Sequence, residues 1–172
     1  MKRLSLTLVL LVTAAALLGC SDPNVAFEDL VGAIEARVIA DLQATGNFTE
    51  DAFADGQIPG YLQFNLLDEE ETGWVLEIDK ELLAEGYALV AQFNINADKI
   101  IVLKARDKES IADVQAALEA ELEKQDATWS WYLPAQYEKV KNNIIETQGS
   151  YLIYVTYGEP QGVVDAFIDA LK

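Results

Sequence analysis

The stretch Ile100-Ile101-Val102-Leu103 constrains the fold more than any other. Four successive apolar residues, three of them β-branched, leave neither face of a strand to water. Such a strand lies centrally in its sheet. Ahead of it Tyr87, Leu89, Ala91 and Phe93 alternate with Ala88, Val90 and Gln92, and Asn94 to Asp98 supply a turn, so residues 87–105 read as a β-hairpin. Residues 150–157, rich in aromatic and β-branched side chains, give a further strand. Short strands are also expected over 61–67, with Leu62, Phe64 and Leu66 on one face, and over 74–78, where Trp74, Leu76 and Ile78 alternate.

Between these segments the apolar period lengthens to that of a helix. Phe27, Leu30, Val31, Ile34, Val38 and Leu42 predict a helix over 23–45, with Asp22 as its cap, Pro23 at its first position and Gly46 beyond its end. Asp79 caps a brief helix that Gly86 ends. Asp107 caps another over 107–126, with Ile111, Val114, Leu118 and Leu122 on one face and acids on the other. Pro134 opens a helix over 134–146 that turns Tyr137, Val140 and Ile144 inward, and Pro160 opens one over 160–171 through Val163, Val164, Phe167, Ile168 and Leu171. The fold class is therefore α+β, a small antiparallel sheet with helices packed against it.

Residues 1–19 have a different character. Lys2 and Arg3 precede an apolar run from Leu4 to Leu18, which ends against Gly19, Cys20, Ser21, Asp22 and Pro23. That is the layout of a secretory signal peptide, and the run falls short of the roughly 20 residues a membrane span needs. Leu17-Leu18-Gly19-Cys20 resembles the bacterial lipobox. The resemblance implies cleavage before Cys20 and acylation of that cysteine with a diacylglycerol and palmitate-type chains. The alternative, an ordinary signal peptide with a stray cysteine, fits less well, because Cys20 is the single cysteine of the chain. Residues 20–172 then form one globular domain tethered to the cell membrane on its extracytoplasmic face, since two acyl chains anchor stably.

Composition narrows the chemistry. The chain carries a net charge of −17, which becomes −19 when the leader takes Lys2 and Arg3 with it. Nucleic acid and anionic lipid head groups would be repelled by such a surface. The absence of histidine excludes a Ser-His-Asp triad, a Cys-His pair and histidine-ligated zinc. Asp68 to Glu71 is a run of four acids that cannot all converge on one ion, so it reads as a solvated turn, and neither metal nor cofactor is expected.

The order of features in the second half is similar to a family of small bacterial lipoproteins known only as domain of unknown function family 4358. It is carried by Ala97-Asp98-Lys99-Ile100 leading into the strand that ends at Lys104, the Asp107 helix, the Tyr132-Leu133-Pro134 step, and Gly149-Ser150-Tyr151. The resemblance spans about residues 79–172. It implies a lipid-anchored extracytoplasmic domain and carries over no catalytic residues.

A non-enzymatic binding or adaptor domain at the cell envelope is the function expected, with an envelope protein, peptide or glycan as partner. Trp129, Trp131 and Tyr132 stand out as its ligand-binding residues, since three large rings in a connecting segment can form a stacking platform. Large rings in such a segment more often close the core, here beneath two helices. The competing class is a carboxylate-dependent cell-wall or glycan hydrolase, for which 29 acids offer many chance pairs. A cleft holding two inward acids with raised pKa would favour the hydrolase, and a flat apolar patch would favour the binding domain.

Overall fold

The computed structural model describes Pro23, residues 25–68 and residues 72–172. Its sheet has five strands, all paired antiparallel: β1 (Tyr61–Asn65), β2 (Leu83–Ala91), β3 (Lys99–Ala105), β4 (Ile144–Gln148) and β5 (Tyr151–Thr156), in the order β1-β2-β3-β5-β4. The continuous apolar run of β3 takes the middle place, and β5, buried along its whole length, lies next to it. Both need cover on two faces, and helices supply it. α1 (Phe27–Ala44) and α5 (Pro160–Ala170) pack over Leu89, Ile100, Val102, Ile153 and Val155. On the other face α3 (Ile111–Trp129) brings Val114 and Leu118 onto Ile101, Leu103, Leu152 and Tyr154. α4 (Pro134–Lys141) lies beside α3, and its Val140 packs with Ala97 and Trp129. Each large apolar side chain buried in this way contributes roughly 1.5–3 kcal/mol.

The α+β class holds, and several boundaries move for identifiable reasons. α1 begins at Phe27 and not at Pro23, where the Tyr151 hydroxyl donates to the Val25 carbonyl at 3.0 Å. Asp22 lies outside the described residues. Residues 72–75 form a single helical turn, α2 (Thr72–Val75), in place of the strand expected over 74–78. There Val75 and Leu76 are buried side by side, while Trp74 stays exposed with its ring edge-on to Phe64 at 4.9 Å, so the alternation of Trp74, Leu76 and Ile78 is not a strand face.

The Asp79 carboxylate accepts the Glu81 N–H at 2.9 Å, capping a single 3-10 turn over Lys80–Leu82. β2 follows at once, which places Gly86 inside the strand and not at a helix end. A Cβ at Gly86 would stand 3.1 Å from the Leu66 Cβ, so close packing explains this glycine. Asp107 binds the Ser110 N–H at 2.9 Å and its hydroxyl at 2.6 Å, ordering the turn from which α3 starts at Ile111.

The helix expected over 134–146 ends at Lys141, and Ile144 opens β4. β4 and β5 form a hairpin in which Gln148 faces Tyr151 across Gly149-Ser150, with Gly149 at φ +61°. Among the described residues no helix is long and apolar enough to cross a membrane.

Candidate functional site

The turn between β2 and β3 ends in two adjacent buried charges, Asp98 and Lys99, whose side chains are claimed by different elements. Lys99 alternates with Ile101 and Leu103 and so reaches the α3 layer. Its ammonium donates to Glu121 Oε1 at 2.6 Å and to the Val75 carbonyl at 3.0 Å, and the two charged side chains are only 8% and 6% exposed. Glu121 Oε1 also accepts from Gln125 Nε2 at 2.8 Å, and Gln125 Oε1 accepts the Trp129 indole N–H at 2.9 Å. Residues 121, 125 and 129 repeat at intervals of four on α3, which stacks these side chains one turn apart. The chain of bonds therefore fixes the Trp129 ring from below.

Asp98 is held from other directions. Its Oδ1 accepts from Lys139 Nζ of α4 at 2.6 Å, and its Oδ2 accepts from the Tyr61 hydroxyl of β1 at 2.7 Å and from Asn96 Nδ2 at 3.0 Å. Burial, reinforced by the Asp98 charge, pushes the Tyr61 phenol far up from its ordinary value, so it remains a donor. Lys139 reaches Asn96 Oδ1 as well, at 3.0 Å, and the Ala97 N–H donates to Gln136 Oε1 at 3.0 Å. Two neighbouring residues thus tie α3, α4 and β1 to the head of β3. Both carboxylates are committed to fixed cations and donors, an arrangement suited to positioning.

What this clamp positions is the connection from α3 to α4. α3 ends at Trp129, the Tyr132 N–H donates to the Trp129 carbonyl, and Leu133 adopts a left-handed conformation at φ +47° before Pro134 starts α4. A leucine there costs roughly 1–2 kcal/mol of local strain. Trp129 is 7% exposed, packed with Ala97 and Val140, whereas Trp131 is 91% exposed and Tyr132 about half exposed. The Trp129 and Tyr132 rings lie 5.8 Å apart, tilted by 34°.

The three rings singled out in the sequence are therefore divided. Trp129 closes the core, and Trp131 and Tyr132 remain at the surface. Leu133 and Ile95 are exposed as well and, with Pro134, Ala135 and Gln136, line a shallow concavity of about 380 Å³ with no charged residue among its described lining. Phe93, in the same turn as Ile95, is also exposed. Cys20 lies outside the described residues.

Sequence reasoning passed over the clamp, although one signal was present. Glu121 falls on the same helical stripe as Val114 and Leu118, seven and three residues on respectively, and an acid within an apolar stripe requires a buried cation. Removing only one partner of the Lys99–Glu121 pair leaves a buried charge unpaired, so Glu121→Leu should cost about 3–5 kcal/mol in urea denaturation. Lys99→Met combined with Glu121→Leu should recover most of that loss. Equal losses in the single and double variants would mean that the side chains matter for packing alone.

The sequence profile of the family described as "Domain of unknown function (DUF4358)" matches residues 65–157, more than half of the chain. That span contains β2 to β5, α3, α4 and the clamp apart from Tyr61, while α1, α5 and most of β1 lie outside it. No curated protein and no solved structure matches the chain.

Proposed function

The chain belongs to this family of domains of unknown function, and on that premise we propose that it is a non-enzymatic binding domain, lipid-anchored through Cys20 on the extracytoplasmic face of the cell membrane. The observation that carries the binding assignment is the set of exposed apolar side chains Phe93, Ile95, Trp131, Tyr132 and Leu133, two of which, Ile95 and Leu133, line a concavity with no charge among its described lining residues, in a chain of net charge −17. Apolar side chains grouped on one surface mark an interaction site, and an exposed indole supplies contact area with few rotatable bonds. A peptide or envelope protein suits the concavity better than a glycan. Its walls are aliphatic, and the Gln136 side-chain oxygen already accepts the Ala97 N–H, whereas a sugar needs several free polar partners. The hydrolase reading gains no support from Asp98 or Glu121, each held by a lysine and further donors.

The anchor is tested by detergent phase partitioning of the expressed chain and of Cys20→Ala. The expectation is that the native chain enters the detergent phase with its lipid and that the variant carries none by mass spectrometry; an unmodified Cys20 in the native chain would leave only an ordinary secretory leader. The binding site is tested by fluorescence titration of a Trp74→Phe background with muramyl peptides and cell-wall glycans. A saturable change is expected with peptide, at least tenfold weaker in Trp131→Ala while circular dichroism is unaltered. Turnover of either substrate that survives Trp131→Ala and disappears on replacing one carboxylate would replace the binding reading with the hydrolase.

A further inference from the structure

On the α1 side of the molecule, away from the Trp131 surface, an open groove of about 350 Å³ runs between the first half of α1 and the ends of β1 and β2. Phe27, Val31, Leu67 and Tyr87 give it apolar walls. Glu28 and Glu35 stand one below the other on its α1 side, seven residues and so two turns apart. Glu35 is held in place, because its Oε1 accepts from the Tyr87 hydroxyl and from Gln63 Nε2, both at 2.6 Å. Burial and the Glu35 carboxylate push the Tyr87 phenol up from its ordinary value, so it stays a donor. Both bonds end on the same oxygen, and Glu35 Oε2 has no hydrogen-bond partner among the described residues. At the opposite rim Glu85 is answered by Lys104 at 3.3 Å, and Asn65 has its side-chain oxygen on the Leu67 N–H.

Gly32 supplies a separate observation. A glycine weakens a helix relative to alanine, and here it sits in the interior of α1. A Cβ built at Gly32 would meet nothing within 4 Å, so packing does not require the glycine, in contrast to Gly86. Gly32 lines the groove, and a longer side chain there would fill it.

From these features we propose that the groove binds an organic cation, an ammonium or guanidinium on a short apolar stem, with Glu35 as its counter-ion. The free Oε2 of a pre-oriented carboxylate meets the charge, and the Phe27 and Tyr87 rings take the stem and one face of the cation. A bare divalent metal would find too few converging oxygens between apolar walls. A neutral apolar ligand would strip water from two carboxylates without replacing it. The strongly negative chain raises the local concentration of cations around the mouth. The α1 residues of the groove lie outside residues 65–157, which makes this a feature of the chain beyond the family-matched segment.

Isothermal titration calorimetry of the full chain in detergent tests the proposal, with cadaverine as a free amine and Nα-acetyl-lysine methylamide as a peptide-borne one. Saturable one-to-one binding of at least one is expected, and the tighter of the two identifies the source of the cation. Ammonium chloride at matched ionic strength should give no saturable heat. Gly32→Leu, whose Cβ would meet nothing within 4 Å and which favours the helix, should weaken binding at least tenfold with the thermal midpoint kept or raised. Glu35→Gln, which can still accept from Tyr87, should do the same. Binding unchanged in both variants, or reproduced by ammonium chloride, would reduce the effect to general attraction of cations to an acidic surface and overturn the proposal. Neither Cys20→Ala nor Trp131→Ala should alter the titration, so its outcome is separate from that of the anchored binding domain.

Discussion

Lys99 and Glu121 meet at 2.6 Å beneath α3, and Asp98, the residue before Lys99, is closed off by Lys139, Tyr61 and Asn96. Removing each ion from water costs several kcal/mol, and only short, multiple bonds to an opposite charge offset that loss. Such pairs add little net stability compared with apolar residues of the same volume. They make alternative arrangements expensive, because any shift of α3 or α4 along the sheet would strand a charge in the core. The central apolar strand thus begins with two groups that fix the register of everything around its head. The α3–α4 connection, with its strained Leu133 and outward Trp131, inherits its position from them.

Much of this architecture was legible in the residues. The unbroken apolar run of β3 announced a central strand, and Tyr151 to Thr156 a second one, because neither sequence leaves a face for water. Proline at the first position placed the starts of α4 and α5 correctly. What escaped was decided by partners distant in the chain. Ile144 follows Val140 at helical spacing, yet two asparagines end α4, and Gly149-Ser150 is a two-residue hairpin turn that recruits Ile144–Gln148 to β5. Trp74, Leu76 and Ile78 alternate as a strand would, but Phe64 draws the Trp74 ring outward while Val75 turns its carbonyl to Lys99.

The candidate sites divide in the same way. The aromatic character of the 129–132 segment was evident, but its division between core and surface depends on Gln125, one turn back, capturing the Trp129 indole. Ile95 and Leu133 joined the surface through tertiary placement alone. The α1 groove left a local trace, a glycine in the middle of an amphipathic helix. Its meaning emerged only once Gly32 was seen to face open space between two glutamates. One surface lies at the β2–β3 turn and the other beside the start of β2, roughly the length of that strand apart, about 20–30 Å at 3.3 Å per residue. Each can therefore be altered without disturbing the other.

Asp98 acts as a local clamp on α4 and β1, while the sheet core stands on its apolar packing. Native-state hydrogen exchange of Asp98→Asn, which keeps the shape and removes the charge facing Lys139, tests this most directly. Amides of Tyr137 to Lys141 and of β1 should exchange at least tenfold faster, while those of Ile100 to Leu103 and Leu152 to Val155 keep protection set by global unfolding. Unchanged protection in α4 and β1, or a uniform loss across the whole sheet, would contradict it.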